Sequence, residues 1–384
     1  MRKQGVHMRI CIVTEYFPGG EELNIRGGAE ACAFNEALKL SEKHEVTVLT
    51  SRTPENPENY RCGNMEVICC GPVRSYVQAG SITGRLSFML SAYREGLKLD
   101  PDAVIGYNFI THPVAWMIAG KRNAAALARY HDVWIGEWVR NIGVSGILGE
   151  LLERYTLSRR FDRIVAVSEY TAGKILERYP WQQVSVVHNM VDFRTPPVRK
   201  TSTPSIACVS RLVEYKRIQD LIRAVSVIRE KFPDIRCRII GTGPLEERLR
   251  GLARELAVED NVEFMGFVEK HADVLEVIAE SWVFCLPSVV EGFGIVVVEA
   301  MGCGTPFVAA RIPPVMEASQ EKGGLFFEPG NWRDLAEKLE LLLSSGELHE
   351  RLSSEAADVF RDYSADSIGR KLERVLTEVT GRDE

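Results

Sequence analysis

The hydrophobic residues of this chain fall into short runs separated by polar stretches of helical period. Residues 9–14 (RICIVT) form a compact apolar run, as expected for a strand buried on both faces of a parallel sheet. A glycine-rich stretch follows, and apolar positions then recur at helical spacing over 29–40. Runs at 46–49, 65–70, 103–105, 125–130, 163–167 and 184–187 read as further strands, with helical stretches at 82–99 and 147–159.

Residues 194–204 break the pattern. Pro196, Pro197 and Pro204 stand there among polar residues with no hydrophobic period, which is the composition of a linker. The alternation then restarts. Strands are expected at 205–209, 236–240, 262–265, 282–286, 306–309 and 325–327, helices at 217–231 and 245–256, and a mostly helical tail over 332–380. Repeated strand–helix order argues parallel sheets with helices on both faces. The expected fold class is therefore α/β, with two Rossmann-like domains facing a cleft. Ligands in such sheets sit beyond the carboxyl ends of the strands, so the chemistry is sought in the loops after strands.

Bulk properties agree with two folded domains. A chain of 384 residues is too long for one ordinary core. Hydrophobic residues make up 45% and charged residues 26%, the balance of a globular protein. The formal net charge of -6, without a basic tract, argues against nucleic acid as a partner. Nine cysteines lie scattered, none at the C-x-x-C spacing of a zinc site, and read as reduced thiols of a cytoplasmic protein. No apolar run is long enough to span a membrane. Residues 1–8 are polar and basic with no apolar core, so a secretory signal is not expected, and Met8 is a candidate natural start.

Four stretches carry chemistry. Phe17-Pro18-Gly19-Gly20 leads through 21–26 to Gly27-Gly28-Ala29-Glu30. Glycines admit close approach of backbone to a ligand, and the following helix N-terminus offers N–H groups to phosphate; a plain strand-to-helix turn reads the same way. Gly241-Thr242-Gly243-Pro244 opens like a dinucleotide fingerprint, but Glu246 stands where a third glycine is needed. Arg211 and Lys216, after the first strand of the second half, form a compact positive clamp or a solvated basic loop. Glu291 and Glu299 bracket a loop and helix start (EGFGIVVVE), and can capture hydroxyl groups or serve as ordinary surface and capping carboxylates.

Together these residues carry a resemblance. Gly27-Gly28, His131, Arg211, Lys216, Gly241 and Gly243, Phe264-x-Gly266-Phe267, and Glu291 with Glu299 resemble, in order and over nearly the whole chain, the retaining glycosyltransferases of family 4 with the GT-B fold. The resemblance implies that Arg211 and Lys216 neutralise a donor diphosphate and that Glu299 binds ribose hydroxyls. Glu291 would hold hydroxyls of the donor sugar, beside the backbone of Gly292, Phe293 and Gly294. Gly27, Gly28, Gly241, Gly243 and Phe267 would complete the donor site, and His131 would face the reaction centre. It implies no cofactor and no metal, because basic side chains and helix N-termini take that role, and no nucleophile is assigned. The terminal helix would cross back near Asp362-Tyr363-Ser364. The expected division is 1–193 with 363–384 as the N-terminal acceptor-side domain, 205–362 as the C-terminal donor-binding domain, and 194–204 as linker.

The chain departs from the family pattern in places. Arg217 follows Lys216 where a glycine is usual, which puts close backbone approach there in question. The loop 18–27 is long and charged, with Glu21, Glu22 and Arg26, and is a candidate for acceptor choice. Residues 188–192 (HNMVD) read as hinge and cleft wall, Ser168 as a helix N-cap, and His112 as a candidate for the acceptor side. His7, His44, His271 and His349 sit in polar surroundings and read as surface residues.

The implied partners are a UDP- or GDP-sugar donor and a glycan or lipid-linked acceptor. Lys121, Arg122, Trp134, Trp138, Arg140 and the stretch 147–160 mix basic, aromatic and apolar residues. Such a surface can rest on a membrane, and an ordinary core helix reads similarly. This adds peripheral membrane contact at the inner face to the expectations. Two other readings compete: a nucleotide-sugar-binding subunit without turnover, and an NAD-dependent oxidoreductase, against which the missing third glycine counts.

Overall fold

A computed structural model describes residues 7–19, 27–74, 82–194 and 198–382. The charged residues Glu21, Glu22 and Arg26, with Gly20, and the linker residues Pro196 and Pro197 lie outside the described residues. The chain divides into two compact units, Met1–Met190 with Ala365–Glu384, and Val191–Ser364.

The first unit runs β1 (Arg9–Val13), α1 (Gly28–Leu40), β2 (Glu45–Ser51), β3 (Tyr60–Cys62), β4 (Met65–Cys70), α2 (Ile82–Gly96), β5 (Ala103–Gly106) and α3 (His112–Arg122). It continues with β6 (Ala125–Tyr130), α4 (Trp138–Ile142), α5 (Gly146–Ser158), β7 (Arg163–Ala166), α6 (Glu169–Arg178) and β8 (Val184–Val186). The sheet order is β3-β4-β2-β1-β5-β6-β7-β8, with only β3 antiparallel to its neighbour. Its order reverses between β1 and β5, the switch point of an open α/β sheet.

The second unit runs β9 (Ser205–Val209), a 3-10 turn at Glu214–Lys216, α7 (Ile218–Ile228), β10 (Arg236–Ile240), α8 (Glu246–Glu255), β11 (Val262–Gly266), α9 (His271–Glu280) and β12 (Val283–Leu286). Then come α10 (Ile295–Gly302), β13 (Phe307–Ala310), α11 (Pro313–Ser319), β14 (Gly324–Phe327), α12 (Trp332–Ser344), α13 (Gly346–Phe360) and a 3-10 turn at Arg361–Tyr363. Its six strands, all parallel, are ordered β11-β10-β9-β12-β13-β14, with the switch between β9 and β12. The last helix, α14 (Ala365–Thr380), belongs to the first unit. Asp366 and Glu373 on α14 pair with Lys39 in the last turn of α1 and Lys43 just after it, at 2.6 and 2.8 Å.

The strands are the apolar runs of the sequence because parallel strands covered on both faces leave no polar side. Charged residues in other strands reach the surface, but Arg129 of β6 is fully buried. Its guanidinium donates to Glu36 of α1 at 2.7 and 3.1 Å, to the Val187 carbonyl at 2.6 Å and to the His188 carbonyl at 3.1 Å. The Tyr107 hydroxyl donates to the other Glu36 oxygen at 2.6 Å, and the Cys32 thiol lies 3.1 Å from the first. One buried charge pair thus ties α1, β6 and the chain after β5 and β8 into one arrangement.

Three surface assignments made from polar neighbours are corrected, among them His349, which is half-buried with Nε2 donating to the Trp282 carbonyl at 2.8 Å. His44 is buried and accepts from the Met8 backbone N–H at Nδ1, 3.3 Å away, with its pKa lowered by burial. His271 is partly buried and meets Glu299. His112 is buried too: its Nε2 donates to the Arg129 carbonyl at 3.0 Å and its ring stacks on Tyr130. It packs inside the unit rather than lining a surface for an acceptor. All nine cysteines are free, and all but Cys62 are buried.

Removing one partner of a buried pair strands the other charge without water. Glu36→Gln is expected to cost about 3–5 kcal/mol in urea unfolding. The double variant Glu36→Leu/Arg129→Met removes both charges and should recover most of that loss. A single variant as stable as the parent chain would show that the pair constrains nothing.

Candidate functional site

In the second unit the chemistry gathers at the switch point. The chain leaving β9 passes Ser210 and Arg211 into the Glu214–Lys216 turn, and the chain leaving β12 carries Glu291. These loops come from the two strands at which the sheet order reverses, so they lie side by side. The Val289 backbone N–H donates to the Tyr215 carbonyl at 3.0 Å and locks one to the other. Lys216 Nζ then meets Glu291 Oε1 at 2.5 Å, both side chains more than four-fifths covered. Arg211 is exposed, and its guanidinium donates to the Tyr215 hydroxyl at 2.5 Å.

The two carboxylates of the E-x7-E stretch differ in setting. Glu291 faces a cation. Glu299, inside α10, is buried, and burial pushes its carboxyl up to about 8. Its neighbour is His271 Nε2 at 3.3 Å, on a ring whose own pKa burial lowers. Gly294 is the N-cap of α10 and supplies no side-chain cap. Phe293 is buried with its ring edge-on to Tyr363, 5.7 Å between centroids. Val297 and Val298, β-branched residues at a helix start, are both fully buried, so packing outweighs their weak helix preference. Phe267, after β11, is half exposed.

Gly241 and Gly243 have a reason internal to the protein. A Cβ on Gly241 would collide with the Ser210 carbonyl, and one on Gly243 with the Leu212 backbone. Gly241 also holds φ +129, outside the range of ordinary residues. Backbone hydrogen bonds Ser210 N–H to Ile240 O, Leu212 N–H to Thr242 O and Leu245 N–H to Leu212 O, at 2.9 to 3.1 Å, zip the two loops together. The glycines let the loop that carries Arg211 lie flat on its neighbour. Arg217 likewise takes the left-handed conformation, φ +55, and its guanidinium forks onto buried Asp220 at 2.8 and 3.1 Å.

In the first unit, Gly27 caps α1 without a side-chain cap and Gly28 is its first residue. His131 follows β6. Its Nε2 is buried without a hydrogen-bond partner, and its pKa is pushed down to about 3 by burial first, then by Arg129 and His112. Asp132, next along, accepts from Lys174 Nζ at 3.1 Å and from the Trp134 indole at 2.9 Å. Ser168 is the N-cap of α6 and accepts from the Thr171 backbone N–H at 3.0 Å. Sequence reasoning missed Glu36, Tyr107 and Arg129 beneath His131, and His271 beside Glu299. No local signal marks either set, because the partners lie far apart in the chain. Among the described residues no cluster of three or more His, Cys, Asp or Glu side chains could hold a metal ion.

Comparison with known proteins adds the family. Residues 26–194 match the family described as Glycosyltransferase Family 4, and residues 192–359 match Glycosyl transferases group 1. A putative colanic acid biosynthesis glycosyltransferase, WcaL of Escherichia coli, is 33% identical over 248 residues, 59% of this chain and 60% of that protein. The chain thus spans well under two thirds of that relative's length. The solved sucrose-phosphate synthase of Thermosynechococcus elongatus superposes with a TM-score of 0.83 at 17% identity, over 98% of this chain and 100% of that one. Anabaena HepE in complex with UDP-glucose superposes with a TM-score of 0.72 at 18% identity, over 97% and 100%. Both share two Rossmann-like parallel sheets with this chain, the GT-B fold. With its two halves matched in order from residue 26 to 359, the chain belongs to the glycosyltransferases of group 1 and family 4.

Proposed function

We propose that this chain transfers a sugar from a UDP- or GDP-sugar to a glycan or lipid-linked acceptor, with retention at the anomeric carbon and without a metal ion. The observation that carries the reading is the Lys216–Glu291 contact at the switch point of the second sheet. Departure of a nucleoside diphosphate builds negative charge on phosphate oxygens, and preorganised cations lower that barrier most. Lys216 supplies a point charge and Arg211 a fork for two oxygens. In this reading Lys216 turns to the diphosphate when the donor arrives, and Glu291 accepts hydrogen bonds from the sugar hydroxyls it then faces.

The remaining residues fit the parts of such a donor. The starts of α1, at Gly27 and Gly28, and of α10, at Gly294, have no side-chain cap and suit negative charge. Glu299 accepts from ribose hydroxyls, Phe267 offers a ring face, and the loop held by Gly241 and Gly243 shapes the wall. His131, kept neutral, bonds a sugar hydroxyl through Nε2 without adding charge. That HepE, a fold neighbour, is solved with UDP-glucose makes UDP the first base to try.

The reading is tested by incubating the protein with UDP-, GDP- and ADP-sugars in the presence of EDTA and following nucleoside diphosphate release. Release from one donor, unchanged by EDTA and reduced about 10²- to 10³-fold in Lys216→Ala and Glu291→Ala, is expected. Calorimetric binding of a donor without turnover, even with glycan and lipid-linked acceptors added, would favour a binding subunit. No binding of any donor would sink the reading.

Glu299 gives a second test. Burial raises it from 4.5 to about 8, so between these values the folded chain holds a proton that the unfolded chain has lost. The stability from this group is complete at low pH and declines as pH rises through 8. Glu299→Gln should flatten that decline in thermal scans of the ligand-free protein. It should also weaken donor binding about tenfold, the cost of disturbing one buried hydrogen bond. An unchanged pH profile would show that the carboxyl is not the titrating group.

A further inference from the structure

The helix pair α4 and α5 is apolar on its outward face. Its inward face is accounted for: Gly146, Gly149, Glu153, Thr156 and Leu157 are buried. Gly149 lies so close to the Trp138 ring that a Cβ would stand 2.5 Å from it. Glu153 accepts from the Trp138 indole at 2.6 Å and from the Trp134 backbone N–H. The outward residues Val139, Val144, Ile147, Leu148, Leu151 and Tyr155 are between 42% and 79% exposed. On α5 the last four recur at the spacing of one helical stripe. Outward apolar residues this dense exceed the scattered ones any surface carries.

Charge tells what covers them. Residues 138–160 hold four arginines, Arg140, Arg154, Arg159 and Arg160, against two glutamates, in a chain whose net charge is -6. One of those glutamates, Glu153, is buried, and Glu150 is mostly covered and paired with Arg154 at 2.6 Å. All four arginines are exposed, and Arg159 lies over the Tyr155 ring at 4.4 Å. A second copy of this face would bring arginine against arginine. No helix among the described residues is long and apolar enough to cross a membrane, so the face can lie only in an interface plane.

We propose that the outward face of α4 and α5 docks on an anionic lipid surface, with Leu148 and Leu151 entering the acyl boundary and Arg140, Arg159 and Arg160 at the headgroups. This moves the contact from the residues the sequence suggested. Trp138 is buried, the Trp134 indole is held by Asp132, and Arg122 pairs with Asp100. The docking stands on the surface alone. Joined to the transferase reading, on which this one step rests, it makes the acceptor a sugar carried on a lipid anchor.

The test is flotation of the whole chain with vesicles of phosphatidylcholine, alone or mixed with phosphatidylglycerol, at low and high salt. The wild type is expected to float with the anionic vesicles at low salt and at least tenfold less with the others. Leu148→Glu/Leu151→Glu and Arg159→Glu/Arg160→Glu should each lose about tenfold in binding. Both pairs are exposed, so thermal unfolding and calorimetric donor binding should match the wild type. Absence of flotation with either vesicle overturns the proposal. So does equal flotation with both, or a wild-type dimer in sedimentation that Leu148→Glu/Leu151→Glu dissolves. None of these readouts uses sugar transfer, so failure of the enzyme reading leaves this result separate.

Discussion

The guanidinium of Arg129 has no route to water, and that condition organises the first unit. A buried cation must be neutralised and its donors filled, or it costs several kcal/mol. Glu36 supplies the charge, and the carbonyls of Val187 and His188 fill the rest of the fork. Because those partners sit on α1 and beyond β8, neither can shift without stranding the arginine. An apolar side chain in β6 would pack equally well and tolerate small slips. The pair exchanges stability for a single register, and it does so two residues before His131. The positive charge beside that histidine also helps keep its imidazole neutral.

The second unit holds its site by another device. There the loops after β9, β10 and β11 are zipped by their backbones: Gly241 donates its N–H to the Gly266 carbonyl at 2.8 Å, beside the bonds to the 210–212 loop. Close backbone approach excludes side chains at 241 and 243, so these glycines satisfy the protein before any ligand. The side chains that do project from this platform are charged. Lys216 and Glu291 come from different loops and each compensates the other. Such a pair holds both side chains at hydrogen-bond distance and largely out of water, at the switch point of the sheet.

Much of this was legible in the sequence. Continuous apolar runs marked the parallel strands, while the proline-rich break at 194–204 was read as the linker and the units divide between Met190 and Val191. Elements with weaker contrast escaped. β3 has three residues on a sheet edge, and α3 is buried over so much of its surface that no polar face alternates with an apolar one. The loops carrying Arg211, Lys216 and Glu291, and the helix carrying Glu299, were singled out from residue type and position after strands. Their environments were not. The apolar run around Glu299 signals a buried helix, but nothing near it in sequence shows the His271 partner, which comes from a neighbouring helix. Polar neighbours suggested surface positions for His44 and His271, but the packing of α14 and α9 decides their burial. For Trp134 and Trp138, composition suggested a lipid-facing role, while their indoles are taken by Asp132 and Glu153.

Arg217 shows how a departure from a family pattern can keep the pattern's geometry. A left-handed backbone costs a residue with a Cβ roughly 1 kcal/mol, which is why glycine is usual there. Arg217 adopts it nonetheless, at φ +55. The offset is Asp220, fully buried in the first turn of α7, whose two oxygens take the guanidinium fork. An acidic group at that position also favours the helix start. Without the arginine, the aspartate would be a buried charge with one weaker partner, Arg223 at 3.7 Å. The side chain is therefore directed onto α7, to Asp220, while its backbone completes the turn that presents Lys216 to Glu291. The left-handed turn is held through an ion pair where a glycine would have held it at no steric cost.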